Sequence, residues 1–297
     1  MRKMIKNNWK MQSLNLIVTS MCSFMLFNFL TTVSLNVFIP AVAELKEMNA
    51  ATLYHWNTAG NLTAVLIALV IGAVAQKISL KALSVFGLFL GGFSYFMIPI
   101  VPDYLTGLFI ALNYIATMFY AQITISARVG NWYPKRKGEM LGIVTSIIVL
   151  SSVAILPIYS RMNTEIGIAA TMKVFGVIVM IWAALNIFLI KDRPEDAGLN
   201  PENMTTEEMR QSGTDIADTE TQSKWTYLKL LKKPRFVFSA VGWGLSFIGI
   251  MGLALAIIPI MTSKGVSPEM ATKIASFAGF LAVLFPVLSI HESASVS

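Results

Sequence analysis

The stretch NWYPKRKGEMLG, residues 131–142, decides how this chain folds. Three consecutive cations, Lys135, Arg136 and Lys137, stand between two long runs that carry almost no charge. Pro134 precedes them, and proline cannot continue a helix. The stretch therefore predicts a polar connection that joins two apolar segments.

The apolar runs on either side of this connection belong to a set of eight. The chain has 297 residues and is 55% hydrophobic and 13% charged, about half the charged fraction of an average soluble domain. Each run is about 20 residues or longer, which is the length a helix needs to cross roughly 30 Å of hydrocarbon. Buried helices of a large soluble protein would carry charged faces, and these runs do not. The sequence predicts an all-α, polytopic membrane helix bundle, with spans at 14–40, 53–75, 82–101, 104–127, 140–159, 167–190, 236–261 and 271–290.

The first run shares two features with a cleaved signal peptide. It has a basic start and ends in an Ala-Val-Ala triplet at residues 41–43, as a cleavage site would. However, the apolar part is about twice the usual length and is interrupted by Asn28 and Asn36. An uncleaved first span is therefore predicted.

The distribution of Lys and Arg between the spans predicts the orientation. Of the 23 basic residues, 18 fall in the connections on one side, including the first eleven residues and the 131–142 stretch. The other side holds Lys46, Arg161 and Lys264, and the remaining two lie within spans. Because basic connections stay in the cytoplasm, we predict a multi-pass protein of the plasma (inner) membrane with a cytoplasmic N-terminus.

Charge and motifs exclude several classes of function. The net charge of +7 follows from this topology and from contact with anionic lipid, so nucleic-acid binding is not indicated. The single cysteine, Cys22, cannot form an internal disulfide. The sequence contains no metal-ligand cluster, phosphate loop or nucleophile motif, which predicts a protein that is not an enzyme and has no cofactor.

Spacing divides the chain into three parts. Residues 1–190 hold six predicted spans, residues 191–235 form a charged cytoplasmic central loop, and residues 236–297 hold about two further spans. Low order is predicted for the central loop, especially for its Ser/Thr/Gln-rich part at 205–223. Six helices, a long charged loop and more helices form the outline of transporters built from two six-helix halves.

Two stretches resemble one known family. Residues 131–143 show an aromatic-Pro-basic-Gly-small-Gly pattern that resembles the loop between helices 4 and 5 in the major facilitator superfamily, most closely in its oxalate:formate antiporter and monocarboxylate carrier branch. Residues 192–202, DRPEDAGLNPE, are similar to the opening of that family's central loop. The resemblance implies secondary transport of small organic anions, such as mono- or dicarboxylates, by alternating access and antiport.

The chain departs from the family pattern at two places. Gln76 replaces the acid that usually follows helix 2, so the usual inner salt bridge is not expected. A second half would need six spans where two are predicted, and the chain ends in HESASVS, residues 291–297. It therefore reads as a truncated or frame-shifted product that lacks roughly a third of a two-half transporter, and we expect this product to be inactive.

The parts of the 131–142 stretch have separate expected roles. Trp132 and Tyr133 suit the headgroup zone, and the three cations hold the loop at the anionic inner face. The glycines, four residues apart, allow another helix to pack closely. The expected cytoplasmic motif consists of Trp132, Pro134, Lys135, Arg136, Gly138 and Gly142.

Polar residues within the spans indicate either a substrate cavity or contacts between helices. Asn28, Thr32 and Asn36 share one face of the first span, and a stripe with the same period runs from Asn113 to Arg128 in the fourth. The resemblance assigns cavity lining to helices 1, 2, 4 and 5. The candidate substrate-binding residues are Asn28, Thr32, Asn36, Asn61, Asn113, Thr117, Tyr120 and Lys273.

Two lysines lie within predicted spans, several residues from their outer ends. Lys173 and Lys273 could either snorkel to the interface or bind an anion. The resemblance favours anion binding by Lys273, because relatives bind carboxylates with basic residues of the second half. No Asp or Glu lies within a predicted span away from its ends, so proton coupling through a buried carboxylate is not indicated.

Two functions remain open on the sequence. The first is a secondary transporter of small organic anions, which the charged central loop and the 131–142 motif favour. The second is a membrane receptor or regulatory protein with about eight spans and no transport. The predicted partners are a small anionic substrate and the lipid bilayer, without nucleic acid, and the sequence leaves the oligomeric state open.

Overall fold

The computed structural model describes residues 2–74, 78–204 and 232–267, and three single positions at 270, 274 and 277. These residues form helices and short connections, with no strand among them, which confirms the all-α prediction. The chain divides into two compact units, residues 1–206 and 207–297, which are described separately below.

The first three long helices of the first unit are joined by short connections. Span 1 consists of Arg2–Asn28, the π-helical segment Phe29–Val33 and the helix Leu35–Leu45. Span 2 is Ala50–Val74 and span 3 is Leu80–Met97. Ser79 caps span 3, because its hydroxyl oxygen accepts the N–H of Ala82.

The next three helices complete the part of the first unit that lies before residue 190. Span 4 consists of Asp103–Thr117, the π-helical segment Met118–Ile123 and Thr124–Trp132. Span 5 begins with Lys137–Ser146, Ile148–Leu150 and the π-helical segment Ser151–Ile155. It continues into Leu156–Leu189, which breaks at Gly167, where φ is 79°. Glycine permits the left-handed backbone that this break requires. Span 6 is the part of the helix after Gly167.

Several of these helices have the length and apolarity of membrane spans. Among the described residues, four segments meet both criteria: Asn8–Val33, Leu80–Met97, Asp103–Trp132 and Lys137–Leu189. The last has 53 residues, about 80 Å of helix if it were straight. The break at Gly167 therefore lets it form two crossings, as the sequence predicted. Phe188 is 83% exposed, as expected of a side chain that faces lipid.

Glycines allow the closest helix contacts of the first unit. A Cβ built on Gly92 of span 3 would lie 2.7 Å from the carbonyl oxygen of Gly176 of span 6, and the reverse distance is also 2.7 Å. Gly87 meets the backbone of span 4 at Ala116 and Tyr120 in a similar way. By contrast, a Cβ at position 138 or 142 would find no described atom within 4 Å. The close packing predicted for that glycine pair is therefore not present among the described residues.

An aromatic cluster joins four spans in the interior of the first unit. The rings of Phe29, Tyr159 and Phe175 lie with their centroids 5.1 to 5.2 Å apart. The hydroxyl of Tyr95 donates to the hydroxyl of Tyr159 at 2.7 Å. All four side chains are buried, so the cluster fixes spans 1, 3, 5 and 6 against one another.

The second unit is described mainly by one helix, Pro234–Ser263. It covers the predicted span 236–261, and it begins with a proline in its first turn, where proline is well tolerated. Trp243 and Phe238 are exposed on this helix. Apart from positions 274 and 277, the predicted span 271–290 lies outside the described residues, and so does the central-loop part at 205–223.

Candidate functional site

The two stretches that carry the family resemblance lie in direct contact. We call this contact the motif junction, made of residues 131–136 and 191–203. One carboxylate oxygen of Glu202, Oε1, accepts the backbone N–H groups of Lys135 at 3.0 Å and of Arg136 at 2.9 Å. The φ angle of Glu202 is 49°, a left-handed conformation that is uncommon for a residue with a side chain. The junction therefore holds the start of the central loop in a defined conformation.

The start of the central loop is folded onto the first unit. Residues 194–197 and 201–203 form two 3-10 turns, Pro194–Ala197 and Pro201–Asn203. Pro194, Leu199 and Pro201 are buried. The central loop, for which low order was predicted, thus begins with a packed segment, because two prolines and a leucine supply apolar contacts.

The N-terminal part of span 1 closes the motif junction from a second side. The indole Nε1 of Trp9 donates to the carbonyl oxygen of Asn200 at 3.1 Å, and its ring packs edge-on against Tyr133 at 5.8 Å. The hydroxyls of Tyr133 and Ser13 share a hydrogen bond of 2.7 Å. Burial raises the pKa of Tyr133 above its ordinary value, so the phenol keeps the proton that this hydrogen bond needs.

Two residues of the 131–142 stretch bind the chain where it leaves span 6. The side-chain amide of Asn131 donates to the carbonyl oxygen of Asp192 at 3.2 Å, and the indole of Trp132 donates to that of Lys191 at 3.4 Å. Trp132 and Tyr133 are 1% and 5% exposed, so their rings pack inside the junction and do not face outward. A buried indole needs an acceptor for its N–H, and the end of span 6 supplies one. The polar stretch 131–142 thus connects spans 4 and 5, and its hydrogen bonds fix the residues that directly follow span 6.

An unpaired buried charge lies beneath the motif junction. Arg128 of span 4 is 0% exposed, and none of its three guanidinium nitrogens has a hydrogen-bond partner among the described residues. It lines a narrow space together with Gln12, Thr19 and Lys191. A buried ion without a partner is costly, so this position is a candidate for a functional role.

The nearest acid to this guanidinium is also incompletely bonded. Asp192 accepts the hydroxyl of Ser79 at its Oδ2 atom, at 2.7 Å, while its Oδ1 atom is buried without a partner among the described residues. Arg128 and Asp192 interact electrostatically but form no ion pair within 4.0 Å. Gln76, which stands where the family carries an acid, lies outside the described residues. The charge of Arg128 on span 4 and that of Asp192, just after span 6, therefore interact without a direct bond.

The candidate residues of span 1 have three different environments. The side-chain amide of Asn28 donates to the Ser151 hydroxyl at 2.7 Å and to the carbonyl oxygen of Ile148 at 3.2 Å. Thr32 is half-buried and Asn36 is exposed. Asn28 precedes the π-helical segment 29–33, Thr32 lies in it and Asn36 follows it. The segment breaks the 3.6-residue period on which their common face was predicted. Asn28 thus connects spans 1 and 5, while Asn36 offers a free amide.

The candidate residues of span 4 are buried between helices. The amide of Asn113 donates to the carbonyl oxygen of Leu30 at 3.4 Å, and Thr117 donates to that of Tyr114 at 2.6 Å. Tyr120 is fully buried, with its ring against Gly91 and no partner for its hydroxyl among the described residues. Asn113 thus makes a contact between helices, whereas the hydrogen bond of Thr117 lies within its own helix.

Two further candidates and one additional residue complete the polar set. Asn61 of span 2 is exposed, and Lys273 lies outside the described residues. Gln122 is an exposed amide within the π-helical segment of span 4 that sequence reasoning did not select. Its place in the middle of an apolar run was the available signal, but it falls off the period that defined the stripe.

Comparisons with known proteins give one family and one fold. The sequence matches the model of the Major Facilitator Superfamily over residues 19–291. A comparison with curated proteins gives no match. Among solved structures, the chain is similar to the crystal structure of a D-xylose-proton symporter, with a TM-score of 0.54 and 14% sequence identity, over 95% of this chain and 69% of that chain. At that identity the likeness shows a shared fold.

Proposed function

Because this chain belongs to the Major Facilitator Superfamily, whose members are secondary transporters, we propose that it serves the exchange of small organic anions such as mono- or dicarboxylates. Family membership favours transport over the receptor alternative. The substrate class rests on the charges and polar groups of the described spans and on the 131–142 motif.

The observation that carries the anion proposal is the positive interior of the first unit. Arg128 is the one charged residue among the described residues that is fully buried, and no described carboxylate pairs with it. The acids of spans 1 to 6 lie at helix ends, as Glu44, Asp103 and Glu139 do. Asp192 offsets this charge only in part, since it forms no ion pair with Arg128 within 4.0 Å, and we propose that the remaining positive potential favours anions over cations.

Exchange, rather than proton symport, follows from the same distribution of charge. A proton-coupled carrier needs a titratable group that is exposed in turn to each side of the membrane. Within the described spans no Asp, Glu or His occupies a buried position. We therefore propose that the return step is driven by a second anion, which makes the protein an antiporter.

The proposed anion site begins with three amides that make no side-chain hydrogen bond among the described residues. Asn36, Asn61 and Gln122 are exposed and carry donors that can reach a carboxylate. Thr32 and Asn28 of span 1 and Asn113, Thr117 and Tyr120 of span 4 complete the proposed set. Lys273 remains the proposed cation of the second half.

The motif junction is the proposed inner clamp of the alternating-access cycle. Rocking of one half against the other needs six helices that move as a body. The hydrogen bonds of Glu202, Trp9 and Trp132 connect the ends of spans 1, 4 and 6 into such a body. Arg128 lies beneath this clamp, Asp192 belongs to it, and we propose that the two pair when the helices shift.

A binding measurement tests the substrate class. Thermal unfolding of the 297-residue chain in detergent should shift upward with oxalate or lactate, since a ligand at ten times its Kd stabilises by about 1.4 kcal/mol. D-xylose should give no shift. Asn36→Ala should raise the Kd for oxalate about tenfold or more, because it removes a hydrogen bond to a charged group. Asn163→Ala, outside the proposed set, should leave that Kd unchanged. A shift with D-xylose and none with either carboxylate would refute the anion proposal.

A further inference from the structure

An apolar groove lies on the outside of the first unit, between spans 3 and 6 and away from the candidate site. Its volume is about 690 Å³, within the range of roughly 300–1,000 Å³ that small-ligand sites occupy. Its walls include Val85, Phe86 and Phe89 of span 3 and Met180, Ala184 and Ile187 of span 6.

The groove opens toward the bilayer. Phe86 and Phe89 are each 54% exposed, and both belong to a helix of membrane length. Eight residues of helix separate Lys81 from Phe89, which is about 12 Å. That length covers most of one hydrocarbon leaflet, whose depth is about 15 Å. The groove therefore has the length, the position and the apolar walls that suit one acyl chain.

A cation stands at one end of the groove. Lys81 lines it and is half-buried, and it has no hydrogen bond or ion pair with any residue that the structure describes. Ser79 lies at the same end, but its hydroxyl is already donated to Asp192 at 2.7 Å. The acid is thus bonded to serine and not to the lysine. Lys81 is the second residue of span 3, and the ends of membrane spans are where lipid headgroups are expected.

We propose that this groove binds an anionic phospholipid, with one acyl chain between spans 3 and 6 and the phosphate at Lys81. The apolar walls match the chain, and the single cation matches the headgroup charge. A Lys near the membrane surface contributes a preference of about fivefold for an anionic lipid. Bound lipid would also cover the Gly92–Gly176 crossing one turn beyond Phe89, which connects the site to the tightest contact between these helices.

Photo-cross-linking tests the site directly. The 297-residue chain is placed in nanodiscs of phosphatidylcholine that contain a small fraction of a phosphatidylglycerol with a diazirine acyl chain. A matched disc carries the same diazirine chain on phosphatidylcholine. Peptides are then identified by mass spectrometry. We expect adducts on Phe86, Phe89 or Ile187, about fivefold more abundant with the anionic probe.

Variants separate the contributions of groove and charge. Lys81→Gln should remove the anionic preference and leave cross-linking by the phosphatidylcholine probe. Ala184→Trp should fill the groove and lower adducts from both probes, whereas Ile178→Trp, an exposed position on another face of the same helix, should not. Lys135→Gln, an exposed lysine of the motif junction, should also leave the preference intact. Equal labelling of the unmodified chain by the two probes, or adducts spread evenly over exposed helix faces, would overturn the proposal without any variant.

Discussion

Glu202 illustrates how one residue can determine the conformation of a whole connection. Its carboxylate accepts two successive backbone N–H groups, those of Lys135 and Arg136, which lie 67 and 66 positions earlier in the chain. The three cations beside those groups stay exposed. The carboxylate therefore orders the connection through its backbone. Arg136 pairs with Glu139, while the side chains of Lys135 and Lys137 remain available to lipid.

We predict that Glu202→Ala loosens the connection between spans 4 and 5. Loss of two hydrogen bonds to a half-exposed carboxylate should cost about 1–2 kcal/mol of local stability. Trypsin should then cut after Lys135 or Arg136 about tenfold faster, as followed by mass spectrometry of the chain in nanodiscs. Glu202→Gln keeps one acceptor and should be intermediate.

The control for this prediction lies in the neighbouring 3-10 turn. Glu195 is exposed, and its side chain makes no hydrogen bond or ion pair within the described residues. Trypsin should therefore cut the Glu195→Ala variant at the same rate as the unmodified chain. If both variants behave alike, Glu202 does not order the connection.

The pair Arg128 and Asp192 makes a second prediction at the residue scale. Asp192→Asn leaves the buried guanidinium without its nearest opposite charge, so the free energy of unfolding should fall by about 1–3 kcal/mol. In an Arg128→Met background the same change should cost much less, because the charge that it served is gone. A double-mutant cycle on urea or thermal unfolding measures this coupling. Additive effects would show that the two charges do not interact.

Among the elements, the crossing of spans 3 and 6 is set by two glycines. A methyl group on Gly92 would lie 2.7 Å from the carbonyl oxygen of Gly176, and one on Gly176 would lie 2.7 Å from that of Gly92. Both distances are shorter than a Cβ can approach. The π-helical segments of spans 1, 4 and 5 act differently, since each rotates the following helix and changes which side chains share a face.

We predict that Gly92→Ala and Gly176→Ala each lower the thermal stability of the chain. Overpacking of this kind costs about 1–3 kcal/mol. Gly142→Ala should instead be neutral or stabilising by up to about 1 kcal/mol, because the position is helical and open among the described residues. Differential scanning fluorimetry in one detergent compares the three. A loss at Gly142 equal to that at Gly92 would mean that close approach is not the cause.

The elements could be predicted from the sequence because length and apolarity decide them. Helices lie where apolar runs predicted them in residues 14–190, and the charged stretch at 131–142 separates spans 4 and 5. The burial of Trp132 and Tyr133 could not be predicted in this way. It depends on a segment about 60 residues later, which supplies the acceptor at Lys191.

The candidate site was predictable in part for a related reason. Periodicity placed Asn113, Thr117 and Tyr120 on one face, but it cannot show which neighbour that face meets. The structure places Tyr120 against Gly91 of span 3 and Asn113 against span 1. Gln122 was missed because a π-helical segment adds a residue that an i, i+4 pattern passes over.

For the whole molecule, the charge distribution makes a topological prediction. We expect the N-terminus and the central loop to lie in the cytoplasm, because 18 of the 23 basic residues fall on that side. In a Cys22→Ser background, an impermeant maleimide applied to intact cells should label cysteines placed at Met48 and Gly265 but not at Ser212. Labelling only of the cysteine at position 212 would show that the orientation is the opposite of the predicted one.

The proposal that the protein carries anions is tested most directly by the charge that moves when substrate binds. Proteoliposomes of the 297-residue chain on a solid-supported membrane are exposed to a jump in oxalate concentration and, separately, to a jump in D-xylose. Binding of an anion within the spans displaces negative charge, so oxalate should give a saturable transient current of that sign, and D-xylose should give none. Asn36→Ala should shift the oxalate response to higher concentration. A saturable current with D-xylose, or no current with oxalate above that of empty liposomes, would contradict the account.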